Sequence, residues 1–127
     1  MPEAQKTVVV VEDETDAAEM FAEMMRVSGF RVLKSYSSTP AISMITNEQP
    51  DIVILDVMMP DVSGLEVLKF IRREPALSHI PVIVVSAKSM PGDIKTGLEA
   101  GASVYLTKPV GFLELKQAVE KALQRNP

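Results

Sequence analysis

The sequence predicts an α/β fold: one doubly wound, five-stranded parallel sheet built from five βα units, with strand order 2-1-3-4-5. Two observations carry this. Short apolar, β-branched runs recur along the 127 residues, and each is followed by a longer segment with apolar residues at helical spacing. Runs without polar interruption fit strands covered on both faces, as in a parallel sheet between two helical layers. Right-handed crossovers then place helices on both sides, and 2-1-3-4-5 is a common order for such a sheet. The length fits one domain, 1–127, with its core over about 7–124.

The first strand is expected at Thr7–Val11 (TVVVV), the third at Asp51–Leu55 (DIVIL) and the fourth at Pro81–Val85 (PVIVV). Arg31–Tyr36 and Ser103–Leu106 are less uniformly apolar and suit positions nearer the edges. Between Asp16 and Val27, Ala17, Met20, Phe21 and Met24 fall at i, i+3, i+4, i+7, which predicts a helix ending at Ser28-Gly29. Further helices are expected over about Thr39–Asn47, Gly64–Arg73, Pro91–Ala100 and Gly111–Gln124. The last carries Leu115, Ala118, Val119, Ala122 and Leu123 on one side. Gly97 inside the fourth costs about 1 kcal/mol relative to alanine, which suggests an easily displaced helix. Met20, Met24 and Met44 read as gap-fillers in the core, and Arg72 and Arg73 as a solvated last turn favoured by the helix dipole.

Composition narrows the function. The chain is 46% hydrophobic and 24% charged, as expected of a globular domain. It has no cysteine, which rules out disulfides and thiolate metal sites. No apolar run approaches the roughly 18 to 20 residues of a membrane span, and the N-terminus does not read as a signal peptide. The cytoplasm is therefore the expected location. A net charge of -4 argues against nucleic-acid binding by this domain alone.

In an open parallel sheet, ligands bind at the carboxyl ends of the strands, beside the point where the order reverses. There the sequence places Glu12-Asp13-Glu14, Asp56, Ser86-Ala87 and Thr107-Lys108-Pro109. Carboxylates gathered from two neighbouring strands either raise their pKa values or hold a cation. An oxygen-only donor set suits a hard ion, with Mg²⁺ the usual companion of phosphate chemistry. Lys108 supplies a compact positive charge for Asp56 or a phosphoryl group, and Ser86 a hydroxyl. Glu12 and Asp13 also suit the start of the first helix, a capping role for which Asp16 competes. The lone histidine, His79, precedes the fourth strand and is assigned no catalytic role.

The series Glu12-Asp13, Asp56, Ser86-Ala87, Lys108-Pro109 resembles that of response-regulator receiver domains of two-component phosphorelays, which have a flavodoxin-like fold. LDVMMPDVSGLE (55–66) is similar to their phosphoacceptor loop, VSAKS (85–89) to the end of their fourth strand, and GASVYLTKP (101–109) to their fifth-strand region. The resemblance spans Val8 to Leu123. It implies that Asp56 accepts a phosphoryl group from a histidine kinase or a histidine phosphotransfer protein. It further implies Mg²⁺ held by Asp13, Asp56 and the Met58 carbonyl, with Glu12 acting through water. Ser86 and Lys108 would bind the phosphoryl oxygens, Tyr105 would be the aromatic switch residue, and the bond before Pro109 would be cis. The switching face would be helix 4, strand 5 and helix 5, serving a downstream protein partner, an output domain or a homodimer.

Two other functions compete. A phosphatase of the haloacid dehalogenase type also uses an aspartate after a strand, but usually has a second aspartate two residues on, where this chain has Met58. A receiver-like module that binds partners without phosphorylation would be marked by loss of Asp56 or Lys108, and both are present.

Overall fold

The structure, a computed structural model, describes residues 5–125. Strands β1 (Thr7–Val11), β2 (Arg31–Ser35), β3 (Ile52–Leu55), β4 (Val82–Ser86) and β5 (Val104–Thr107) alternate with helices α1 (Thr15–Val27), α2 (Ser38–Glu48), α3 (Gly64–Arg73), α4 (Pro91–Glu99) and α5 (Phe112–Arg125). All four strand pairings are parallel, and the order is β2-β1-β3-β4-β5, as the alternation predicts. Element ends differ from the sequence reading by at most one residue. β4 and β5 each run one residue further, so Ser86 and Thr107 are still paired across the ladder.

Alternate residues of each strand face opposite sides of the sheet, which divides the core in two. Val9, Val53, Leu55, Val82 and Val84 pack with Ala41 and Ile45 of α2 and Val67, Leu68 and Ile71 of α3. Val8, Val10, Ile52, Ile54, Ile83 and Val85 pack with Phe21 and Met25 of α1 and Leu115 and Val119 of α5. β1, β3 and β4 are buried throughout apart from Thr7, whereas β5 at one edge is only half-buried.

Three expectations need correction. The buried stripe of α1 is Ala18, Phe21, Ala22 and Met25, one residue on from the stripe read in the sequence, and Met20 is 44% exposed. Two apolar stripes overlap on this helix, and the sheet takes the one with the small alanines that allow close approach. Asp16 does not cap α1: the N-cap is Glu14, and Asp16 lies in the first turn. Arg72 is not a solvated end of α3. Its Nε donates to the Gly101 carbonyl at 2.9 Å, and its Nη1 to the carbonyls of Ser78 at 3.2 Å and Ile80 at 2.6 Å. The helix exit aims this long side chain across the amino end of the sheet, where loop carbonyls need donors. Gly101, with φ of 114°, leaves room for it: a Cβ there would lie 2.7 Å from Arg72 Cγ.

Candidate functional site

The carboxyl ends of β1 and β3 are side by side because Val11 pairs with Leu55. The next residues, Glu12 and Asp56, therefore leave the sheet together, and Asp56 N donates to the Val11 carbonyl at 3.0 Å. Carboxylate oxygens of Glu12, Asp13 and Asp56 lie within 4.8 Å of one another. Glu12 and Asp56 are buried, at 1% and 4% exposure, and Asp13 is exposed, so the cluster opens to solvent on one side.

Lys108 reaches the cluster from β5. Its Nζ donates to Glu12 Oε1 at 2.6 Å and to Asp56 Oδ2 at 2.9 Å. The other Asp56 oxygen, Oδ1, accepts from the Met58 amide at 2.8 Å. Burial pushes the Glu12 carboxyl above its ordinary range; the Lys108 bond pulls it down without cancelling that, and the Asp56 charge adds to the rise. Burial also pulls the Lys108 ammonium down, but its bonds to the two carboxylates outweigh this and hold it above its ordinary value. The ammonium touches only two of three gathered carboxylates, so the donor set remains net negative and oxygen-only. That fits a hard divalent cation.

Ser86 is fully buried at the end of β4, and its Oγ accepts from the Lys88 amide at 3.1 Å, which leaves its own proton to donate. The Lys108 amide donates to the Ser86 carbonyl at 2.9 Å, which ties the two residues together across the ladder. The Lys108–Pro109 bond is cis. Tyr105 is half-buried, and its hydroxyl donates to the Lys88 carbonyl at 2.7 Å. Its ring lies against α4, where a Cβ on Gly97 would sit 2.6 Å from Cδ2. Gly97 thus has a packing role that propensity alone does not reveal. The structure brings Glu12, Asp13, Asp56, Met58 and Lys108 to one rim, with Ser86 beside Lys108. Tyr105 stands one loop away, linked to Ser86 through the two backbone groups of Lys88.

The loop after Asp56 is fixed from both sides. At Gly64 a Cβ would lie 2.3 Å from the Asp56 carbonyl, so α3 can start this close only with glycine. Before Gly64 in the same loop, the Asp61 carboxylate accepts from the amides of Ser38, at 3.1 Å to each oxygen, and Thr39, at 3.2 Å. Ser38 Oγ returns a bond to the Val62 carbonyl. Asp61 therefore caps α2 from a different part of the chain, while the local N-cap, Ser37, makes no side-chain bond. Sequence reasoning missed this residue, because its partners lie more than twenty positions away.

The family model described as the response regulator receiver domain matches residues 8–120. The chain belongs to the response regulator receiver domain family. Against the phosphate regulon transcriptional regulatory protein PhoB of Pseudomonas aeruginosa, this receiver domain is 33% identical over 120 residues, 94% of the chain, and it spans about half (52%) of that relative's length. Against the polar-differentiation response regulator DivK of Brucella ovis it is 31% identical over 118 residues, covering 93% of this chain and 96% of that protein. The receiver domain of the Francisella response regulator 1452 superposes with a TM-score of 0.89 at 27% identity, covering 97% of this chain and all (100%) of that one. The receiver domain of a signal transduction histidine kinase from Syntrophus aciditrophicus gives 0.87 at 28% identity, covering 94% and 91%. The receiver domain described here carries an acidic cluster, with Glu12 and Asp56 buried, that fits the family's phosphorylation site. No helix among its described residues is long and apolar enough to cross a membrane.

Proposed function

We propose that Asp56 is the phosphoacceptor of this receiver domain, and that Asp13, Asp56 and the Met58 carbonyl, with Glu12 acting through water, hold Mg²⁺. The observation that carries the proposal is Lys108 Nζ bridging two buried carboxylates, Glu12 and Asp56, at 2.6 and 2.9 Å. An ammonium in that position already touches one oxygen of the reacting carboxylate and needs only to shift to meet the incoming phosphoryl group.

A carboxylate oxygen of Asp56 attacks phosphorus of a phosphohistidine on a histidine kinase or phosphotransfer protein. The new P–O bond forms as the P–N bond breaks, and the leaving imidazole nitrogen takes the electron pair. Charge spreads over the equatorial phosphoryl oxygens. Lys108 answers it with its ammonium, Ser86 with its free hydroxyl proton, and the Met58 amide with the N–H now bonded to Asp56. Mg²⁺ held by Asp13, Asp56 and the Met58 carbonyl would neutralise phosphoryl and carboxylate charge. Hydrolysis of the resulting acyl phosphate resets the domain, so the chain acts as a switch and turns over no separate substrate.

The output follows from Ser86. Donating to the phosphoryl group draws its Oγ from the Lys88 amide, and Lys88 also holds the Tyr105 hydroxyl. Movement of that residue reaches β5 and α4, the face proposed to meet a downstream protein, an output domain or a second copy. The test is incubation with Mg²⁺ and acetyl phosphate, followed by intact mass. Wild type should gain one phosphoryl group and Asp56→Asn none; equal labelling of both proteins overturns the assignment.

A further inference from the structure

At the end of the sheet opposite the acidic rim, the starts of β4 and β5 and the last turns of α5 enclose a cleft of about 300 Å³. Its polar lining is Arg72, Ser78, His79, Ser103 and Lys121, with no carboxylate among the described lining residues. In a chain of net charge -4 this concentration of positive groups stands out.

Arg72 is the informative residue. It is half-buried, and burial alone pulls its pKa below the ordinary guanidinium value. Charges withdrawn from water are normally paired, yet among the described residues every partner of this guanidinium is a neutral oxygen: three carbonyls and the Ser103 hydroxyl. Clasping the loops accounts for Nε and Nη1. Nη2 is left with a single 3.5 Å contact to Ser103 Oγ, at the limit of a hydrogen bond. Arg72 and Ser103 both line the cleft, and Lys121 lines it with an exposed ammonium that makes no ion pair among the described residues. Two cations without anionic partners among the described residues therefore border one concavity, together with a hydroxyl.

We infer that this cleft is a binding site for a small phosphate-bearing anion, held by Arg72, Lys121 and Ser103. A planar guanidinium edge, a point-charge ammonium and a hydroxyl form a donor set suited to phosphate oxygens. The volume is at the small end of ligand pockets and matches a phosphate or phosphate monoester better than a polynucleotide. The site is separate from the Asp56 chemistry. Because Arg72 also holds the Gly101 carbonyl, two residues past the end of α4, an anion there bears on the proposed switching helix from its far end.

The test is a titration of isotope-labelled wild-type protein, without Mg²⁺ and at constant ionic strength, with AMP and separately with inorganic phosphate, read by amide chemical shifts. The expected result is saturable shifts at Ser78, Gly101, Ser103 and Lys121, with chloride giving none. Saturation by AMP identifies a monoester as the ligand class and saturation by phosphate alone identifies the free ion; both support the site. Arg72→Ala removes the loop clasp along with the charge, so the decisive variant is Lys121→Glu on an exposed residue. It should weaken binding roughly tenfold or more, the loss expected for one charge-assisted contact. Absence of saturable shifts, shifts confined to the loops of Asp13, Asp56 and Lys108, or unchanged affinity in Lys121→Glu would each overturn the inference.

Discussion

Lys108 meets Glu12 at 2.6 Å and Asp56 at 2.9 Å, and both carboxylates are nearly shut off from water. Such a pair is held less by net attraction than by the cost of leaving either side alone. Lys108→Ala should therefore destabilise the metal-free domain by about 3 kcal/mol, since two buried carboxylates lose their counter-charge. In urea denaturation, added Mg²⁺ should recover part of that loss, because the ion supplies the missing positive charge. A variant as stable as wild type, or one whose deficit ignores Mg²⁺, would contradict the electrostatic account of the rim. These residues were legible in the sequence for a simple reason. In a parallel sheet, whatever follows each central strand arrives at the same edge, so strand ends far apart in sequence can be read as neighbours. Arg72 was not legible. An arginine in the last turn of a helix satisfies the dipole wherever it points, and only the fold shows that it points inward.

Among the elements, α2 and the loop after β3 are joined by one carboxylate. Amide bonds from Ser38 and Thr39 hold the Asp61 carboxyl down at about 2, below its ordinary 3.8. A depressed carboxyl contributes stability that is present above the unfolded value and lost as pH falls through the folded one. Wild type should thus lose stability between about pH 4 and 2 through this group, and Asp61→Asn should lose less over the same interval when followed by acid titration of circular dichroism. Coincident acid curves would show that the cap carries no linked stability. α4 offers a second case. A methyl at position 97 would sit 2.6 Å from the Tyr105 ring, so Gly97→Ala should push the ring from α4 and weaken its bond to the Lys88 carbonyl. Helix propensity favours alanine by about 1 kcal/mol, which works against this loss, so overall stability should change little. Amide exchange at residues 87–90 should nevertheless become faster, and protection equal to wild type there would count against the seat. Neither contact could be read from periodicity: both join residues that lie in different elements. The α1 stripe failed for a related reason, since Ala17/Met20/Phe21/Met24 and Ala18/Phe21/Ala22/Met25 are equally good helical patterns and only packing chooses between them.

Across the whole molecule, the sheet concentrates negative charge at the rim where β1 and β3 end. Folding gathers carboxylate oxygens of Glu12, Asp13 and Asp56 to within 4.8 Å of one another against one ammonium; burial chiefly raises the Glu12 carboxyl, and the Asp56 charge adds to the rise. An unfolded chain does not gather them, so a divalent ion held by this cluster would favour the folded state and stabilise it. At ten times its dissociation constant, Mg²⁺ should add about 1.4 kcal/mol, a rise of roughly 3 to 6 °C in melting temperature for a domain of this size. Asp56→Asn separates the two halves of the argument. The amide keeps an oxygen for Lys108 and the Met58 amide but removes one of the crowded charges, so this variant should melt higher than wild type without metal. It should also lose most of the Mg²⁺-dependent rise, having lost an anionic ligand. Calorimetry of both proteins with and without the ion reads both effects together: a metal-free variant that melts lower than wild type would mean that the bond to Lys108 outweighs the repulsion, and an undiminished Mg²⁺ shift would mean that the ion binds without Asp56.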